Sequence, residues 1–267
     1  MYVFGVGVNP HRFLACLADD YARLRAVAET DLDAAVPSCP GWSVADLTRH
    51  VAEVYLHKSA IMQDGAVPEP WPPADCATAA PIPLLDRAYA QLVDEFAGRS
   101  PQEAAITWYG PDQSVGFWIR RMAQETVIHR LDAELGVGAP FAPVPDDLAI
   151  DGIDELLRIF VAYAVAEYGD YFTEILAESP DRTYRLRTDG AAWLVRTGPG
   201  LFTVDDAADE SVDGAPAAVD VTVSGPPAAL LRWLWGRERD GDLSEVTVEG
   251  PPEAVVELRR CIVTATQ

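Results

Sequence analysis

The chain has 267 residues, 49% of them hydrophobic, which is enough to form one large or two modest domains with a buried core. Its formal net charge is −22, from 42 acidic and 20 basic residues, and such a field repels phosphate backbones, which argues against nucleic-acid binding. No apolar run is long enough to span a bilayer, and the N-terminal MYVFGVGVNPHRF has no basic region before an apolar one. We therefore expect a soluble, cytoplasmic protein without a membrane partner, whose ligand is a small molecule.

Two compositional features concern the source and the cysteines. Lys58 is the only lysine and Asn9 the only asparagine, a skew typical of GC-rich genomes, and an actinobacterial source is our hypothesis from it. The four cysteines are scattered without a C-x-x-C pair, so we expect buried thiols rather than a disulfide framework or a cysteine-rich metal site.

The first two-thirds of the chain are predicted to be helical. Asn9 followed by Pro10 is a typical helix start, and Ser43 with Asp46 predicts a capping box. The Pro-rich VPEPWPP and the later PIP predict a surface loop. Apolar residues at helical spacing predict helices over 10–28, 43–63, 84–98, 114–136 (stopped by Gly136 and Gly138) and 146–168.

The last third is predicted to be mixed. TYRLRTDGAAWLVRT predicts a β-hairpin around Asp189-Gly190, and AVDVTVSG and LSEVTVEG predict further strands. PAALLRWLWGR and PPEAVVELRRCIV predict helices. The interpretation is an α+β protein: a helical bundle over residues 1–175 and a small C-terminal α+β domain over 176–267, with no internal repeat.

Glu125 and His129 lie one helical turn apart in QETVIHRLD, so their side chains project from the same face of the helix, which also carries Trp118 and Met122. On the second predicted helix, His50 lies at the edge of the apolar stripe. A carboxylate on a core-facing stripe is costly unless it has a partner. A metal ion bound by one carboxylate and two imidazoles would offset that cost and keep a coordination position open.

A second interpretation stays open on the pattern alone. A Glu/His pair at this spacing is usually a solvated helix pair, and a single His at an apolar edge is usually a core residue. Val127, Ile128 and Leu131 also make other faces of the same helix apolar, so its core face is not clearly defined.

Other polar residues near these positions allow two interpretations each. Asp132 either orients an imidazole or is an exposed acid paired with an arginine, the second being the commoner case. His57 lies about 10 Å from His50 along the helix axis, so both cannot bind one ion. We expect His57 to be a pocket wall or a surface residue.

Two segments carry a family resemblance. PSCPGWSVADLTRHVAEV and the E-x3-H-x2-D of QETVIHRLDAELG resemble the signature segments of the mycothiol-dependent maleylpyruvate isomerase family, and TVSGPPAALLRWLWGR resembles its C-terminal domain. The resemblance implies a DinB-like four-helix bundle of the up-down type, followed by a sterol-carrier-like α/β domain. It also implies a divalent metal, usually zinc, bound by His50, Glu125 and His129, with mycothiol as co-substrate.

The implied chemistry is that of a thiolate nucleophile, which conjugates with an electrophile or isomerises it by addition, bond rotation and elimination. Arg237, and less surely Arg232, are candidates to bind carboxylates, although surface charges at a helix end explain both equally well. Trp42 is expected to anchor the turn into the bundle core. Two alternatives remain: a thiol-independent metalloenzyme (hydrolase, lyase or biosynthetic enzyme) and a non-catalytic metal- or small-molecule-binding protein. The sequence does not identify the substrate or the oligomeric state.

Overall fold

The computed structural model describes residues 8–172, 176–177, 179–207, 219–239 and 245–266. It divides the chain into two compact units, with the division between Pro143 and Val144. Within the described ranges, no helix is both long and apolar enough to cross a membrane.

The N-terminal unit is a four-helix bundle, as predicted, and contains one short extra helix that the sequence did not predict. Helix α1 packs against α5, and α2 packs against α4 and α5. The helices are α1 (Pro10–Ala28), α2 (Val44–Asp64), α3 (Ala74–Thr78), α4 (Pro81–Ala97) and α5 (Val115–Gly136).

The predicted starts of α1 and α2 are confirmed. The Asn9 side chain accepts a hydrogen bond from the backbone N–H of Arg12, and Pro10 occupies the first turn. At the start of α2, the Ser43 hydroxyl accepts from the backbone N–H of Asp46 and the Asp46 carboxylate accepts from that of Ser43.

The Pro-rich connection differs from the predicted loop. Its PIP segment opens α4, which begins at Pro81 rather than near residue 84. Proline is compatible with the first turn of a helix because the N–H it lacks has no intrahelical acceptor there. Helix α3 lies within the same connection, where the sequence predicts only a loop.

The C-terminal unit begins with a helical segment whose middle is not α-helical. Helix α6 (Asp146–Asp154) continues as a π-helix (Glu155–Tyr163) and then as α7 (Ala164–Glu167), followed by a 3₁₀ turn (Gly169–Phe172). The sequence predicts one regular helix over 146–168 because the π-helical part carries buried apolar residues at spacings that also fit an α-helix.

The helical segment that begins at Asp146 belongs to the C-terminal unit by its contacts, but to the N-terminal domain by the sequence prediction. Residues from Asp146 onward pack within the C-terminal unit, whereas the sequence places the domain boundary after residue 175. Residues 173–175 lie outside the described ranges. The predicted boundary between functional domains stays a prediction.

A five-stranded mixed sheet, of order β3-β2-β1-β4-β5, forms the centre of the C-terminal unit. Strands β1 and β4 pair in parallel, while the other neighbours are antiparallel. The strands are β1 (Arg182–Thr188), β2 (Ala191–Gly198), β3 (Leu201–Asp206), β4 (Val221–Ser224) and β5 (Thr247–Glu249).

The hairpin predicted at Asp189-Gly190 is confirmed, since β1 and β2 pair with Thr188 opposite Ala191 and Gly190 has φ +88°. Strand β3 was not expected from the sequence. The predicted strands 218–225 and 243–250 are present as the shorter β4 and β5, with residues 218, 243 and 244 outside the described ranges.

Two further helices complete this unit, α8 (Pro227–Trp235) and α9 (Pro252–Thr266), both at predicted positions. Helix α8 packs against α6, and α9 packs against the π-helical segment. No disulfide joins the four cysteines, all of which are described, and Cys39 is the one that is not fully buried.

Candidate metal centre

Three side chains of the N-terminal unit converge on one point between α2 and α5. Nε2 of His129 lies 3.1 Å from Oε1 of Glu125, and Nε2 of His50 lies 3.4 Å from the same oxygen. One ligand atom from each residue lies within 4.8 Å of the others. The structure therefore brings together the three residues that the sequence analysis named as metal ligands.

The helices place these residues through simple geometry. Glu125 and His129 are four residues apart on α5 and so lie one above the other on the same face. His50 is on α2, which packs against α5, seven residues after its Ser43 cap. Glu125 and His129 are largely buried, with side chains 16% and 12% exposed, whereas the His50 side chain is 37% exposed.

Asp132 fixes the orientation of the His129 ring. Its Oδ2 lies 2.9 Å from Nδ1 of His129, and its side chain is fully buried. The Ser38 hydroxyl donates to Oδ1 of Asp132 at 2.5 Å, and Sγ of Cys39 lies 3.8 Å from Oδ2. When His129 is neutral, Nδ1 therefore carries the proton and Nε2 presents its lone pair towards Glu125. The interpretation of Asp132 as an exposed acid is wrong.

Arg121 contacts the other carboxylate oxygen of Glu125, and the sequence analysis missed it. Its Nη2 donates to Oε2 of Glu125 at 2.6 Å, and its side chain is 5% exposed. Oε1 is the oxygen that faces the two imidazoles. The spacing of four residues between Arg121 and Glu125 on a predicted helix was a usable signal for this pair.

The electrostatics of the site keep a negative charge on Glu125, to which a cation can bind. Burial raises the pKa of Glu125, but His129, His50 and Arg121 outweigh it and hold that pKa well below its usual range. Burial likewise lowers the pKa of His129, but Glu125 and Asp132 outweigh it and raise the pKa to about 9. Without a metal the pair is thus carboxylate and imidazolium, and a bound cation would replace the proton.

The donor set fits a divalent metal. Two imidazole nitrogens and one carboxylate oxygen form a three-ligand set of the kind found in catalytic zinc sites, which keep a further position for water or substrate. The hydrogen bond from His129 to a buried carboxylate is the partner that such ligands usually have.

Models of two protein-family domains match most of the chain. The "Mycothiol maleylpyruvate isomerase N-terminal domain" matches residues 14–134, and the "MDMPI C-terminal domain" matches residues 147–257. The chain belongs to the mycothiol-dependent maleylpyruvate isomerase family. A comparison with curated proteins finds no significant match.

Solved structures of this family share the fold. A crystal structure of the mycothiol-dependent maleylpyruvate isomerase aligns with a TM-score of 0.58 and 18% identity, covering 94% of this chain and 98% of that one. A histidine-to-alanine mutant of that enzyme aligns with the same values. A third structure, "UbiJ-SCP2 Ubiquinone synthesis protein", covers 47% of this chain at a TM-score of 0.28, which is too low for a comparison of folds.

Trp42 lies just before the start of α2, and His57 lies within that helix. The Trp42 ring lies 4.9 Å from the His50 ring, so it packs against a candidate ligand and is only partly buried. His57 packs edge-on against Trp71, with 4.9 Å between the ring centres, and is not one of the three candidate metal ligands. Burial and the charge of Lys58 lower the pKa of His57 to about 4, so this imidazole is neutral.

The arginines named from the family resemblance lie in the C-terminal unit. Nη1 of Arg237 donates to the backbone carbonyl of Trp235 at 2.6 Å, and Arg232 forms an ion pair with Glu245 at 3.0 Å. These contacts place both side chains at the end of α8. They agree with a surface charge at a helix end and equally with a carboxylate-binding residue. The catalytic role of Arg237 stays a prediction.

Proposed function

We propose that this protein is a metal-dependent enzyme that uses mycothiol, a low-molecular-weight thiol, as nucleophile in the isomerisation or transfer of a small electrophilic substrate. The observation that carries the proposal is the convergence of His50, Glu125 and His129 on one point, with His129 oriented by the buried Asp132. Membership of the family supports the thiol and the reaction type.

In this proposal His50, Glu125 and His129 hold the divalent metal, and their donor set is that of a zinc site. A divalent cation held there lowers the pKa of a nearby thiol and acts as a Lewis acid towards the substrate. Asp132 keeps the proton of His129 on Nδ1, so that Nε2 stays available as a ligand atom. Arg121 neutralises Oε2 of Glu125 and holds that carboxylate in one orientation.

The reaction itself consumes nothing when it is an isomerisation. The thiol gives up its proton, and the thiolate sulfur adds to one carbon of an activated double bond. The bond that has become single rotates, and elimination of the same thiolate restores the double bond in the other geometry. In a transfer reaction the new carbon–sulfur bond is kept, and the proton given up by the thiol adds to the neighbouring carbon.

Calorimetric titration of the zinc-loaded protein with mycothiol tests this function. We expect saturable binding by the wild type and its loss in His50→Ala. His11→Ala is the control, because it removes an exposed histidine of α1 outside the three-residue cluster and should leave binding unchanged.

Two outcomes would contradict the proposal. Absence of mycothiol binding by a protein shown to hold zinc would instead favour a thiol-independent metalloenzyme. Binding that is equal in the wild type and in His50→Ala would place the thiol away from the three-residue cluster.

A further inference from the structure

The only lysine of the chain is partly buried between α2 and α5, about two helical turns after His50. Lys58 follows His50 by eight residues, about 12 Å along the helix axis. Its Nζ lies 4.9 Å from the centre of the Trp118 ring on α5 and 3.0 Å from Nδ1 of His57. We call Lys58, His57, Trp71 and Trp118, of which Trp71 contacts His57, the Lys58 cluster.

The Lys58 cluster and the three candidate metal ligands lie next to each other along the contact between α2 and α5. Trp118 precedes Glu125 by seven residues, about 10 Å along α5, on the face that the cluster occupies. His50 lies beside Glu125 and Lys58 lies beside Trp118, so α2 and α5 run antiparallel where they pack. The charges of Glu125 and Arg121 both act on the ammonium of Lys58, which confirms that the two groups of residues are electrostatically close.

The ammonium of Lys58 has contacts but no counter-ion. Among the described residues, no carboxylate forms an ion pair with it, and its hydrogen-bond partner, His57, is neutral. The two carboxylates nearest in the site have other cationic partners, since Glu125 contacts Arg121 and Asp132 contacts His129. Burial lowers the pKa of Lys58 to about 8, because it outweighs the opposing charge of Glu125.

In a chain with 42 acidic residues, an internal ammonium without an acidic partner is unusual. A partly buried cation is costly unless an anion neutralises it, and among the described residues only Glu125, through its charge and without an ion pair, favours the charged form. The cation–π contact with Trp118 offsets part of that cost and holds the ammonium in place.

We propose that Lys58 is a substrate-recognition residue whose ammonium binds a carboxylate of the electrophilic substrate, while the reacting end of that substrate lies at the His50–Glu125–His129 cluster. The assignment of this carboxylate to a substrate rests on the proposed function, whereas carboxylate binding at Lys58 does not. A single ammonium among aromatic rings suits one carboxylate better than a polyanion such as a phosphate ester, which needs several donors.

The uniqueness of Lys58 allows a direct measurement of binding. Reductive methylation with ¹³C-formaldehyde labels this lysine and the N-terminal amine and keeps their charge. We expect the methyl signal of Lys58 to shift saturably on titration with succinate, both in zinc-loaded and in metal-free protein. Succinamide, its neutral analogue, should leave the signal in place.

Variants test the same point without the label. Lys58→Met should weaken the binding of succinate to metal-free protein, measured by calorimetry, by about tenfold or more, because a charge-assisted hydrogen bond is lost. Lys58→Arg should keep the affinity within about threefold, since it retains the charge. Arg87→Met, which removes an exposed cation of α4 paired with Asp75, is the matched control and should have no effect.

The outcomes separate this proposal from the proposed function. A Lys58 signal that succinate does not shift, or equal succinate affinity in the wild type and Lys58→Met, would overturn carboxylate recognition at Lys58 whatever the thiol result. A shift in a protein that fails to bind mycothiol would support the carboxylate site and contradict only the thiol chemistry. Thermal unfolding of Lys58→Met verifies that the variant is folded.

Discussion

Asp132 accepts a hydrogen bond from Nδ1 of His129 at 2.9 Å, and the same carboxylate is fully buried and held by the Ser38 hydroxyl. The turn that carries Ser38 and Cys39 is thus connected to the candidate ligand His129 through Asp132. This contact explains why the geometry of the site needs more than its three candidate ligands: the ring of His129 is oriented by a residue one turn further along α5.

Asp132→Asn is expected to lower zinc affinity by about 10–100-fold, because the amide no longer holds the proton of His129 on Nδ1. Competition with a chromophoric zinc chelator measures the affinity. Asp64→Asn, at the exposed end of α2, is the control and should bind zinc as the wild type does. Equal affinities in the wild type and Asp132→Asn would contradict the orienting role.

Arg121→Met should destabilise the metal-free protein by about 3–5 kcal/mol, since the buried Glu125 loses a charged partner. Added zinc should restore part of this loss, because a ligand that binds only the folded state stabilises it. Urea unfolding with zinc or with a chelator measures both effects.

The control for this variant is Arg25→Met, which breaks the more exposed pair between Arg25 and Asp86 and should cost much less stability than Arg121→Met. The account of Arg121 would be wrong if both variants lost the same stability, or if zinc failed to recover any of it.

The stability of the metal-free protein should fall as the pH rises from about 6.5 to about 9. The folded-state pKa of His129 is raised from 6.5 to about 9, so its stabilising contribution is fully present below pH 6.5 and is lost as the pH rises through about 9. The expected change is on the order of a few kcal/mol. Urea unfolding at several pH values in the presence of a chelator measures it.

His129→Gln is the reference for that experiment, because it removes the titrating group and should give a flatter profile over the same pH range. If the wild-type stability rose relative to that of His129→Gln between these pH values, the ion pair with Glu125 would not stabilise the metal-free fold.

Gly136→Ala should destabilise the bundle by about 1–3 kcal/mol, although alanine favours helices. An added Cβ would lie 2.9 Å from Cγ2 of Val44 and 3.3 Å from the carbonyl of Ala35, so the end of α5 would be pushed away from the start of α2. Gly98→Ala is the control, since its Cβ would meet only ordinary contacts of 3.5 Å or more. Thermal unfolding of both variants tests the difference, and equal melting temperatures would contradict it.

Local signals in the sequence were sufficient for much of the fold. The Ser43–Asp46 capping box placed the start of α2, and Asp189-Gly190 placed the hairpin, because each is stabilised by contacts between residues close in the chain. The side-by-side placement of Glu125 and His129 also followed from spacing alone. The approach of His50 depends on the packing of α2 against α5, so the pattern made His50 a candidate and the family resemblance was needed to choose it over His57.

Other elements could not be recognised from local pattern. The π-helix over Glu155–Tyr163 has hydrogen bonds between residues five apart and a slightly longer period than an α-helix, and its apolar residues fit both periods. Strand β3 ends in the exposed Asp205 and Asp206, which interrupt the expected alternation, and it is stabilised by pairing with β2. Asp132 was ambiguous because its burial depends on the turn that carries Ser38.

The metal content of the purified protein tests the central claim most directly. After incubation with zinc and removal of the excess, we expect about one zinc ion per chain in the wild type and in His57→Ala, by inductively coupled plasma mass spectrometry. Glu125→Ala and His129→Ala should hold almost none. A wild-type protein that retains no divalent ion, or a Glu125→Ala variant that retains as much as the wild type, would contradict the assignment of His50, Glu125 and His129 as a metal site.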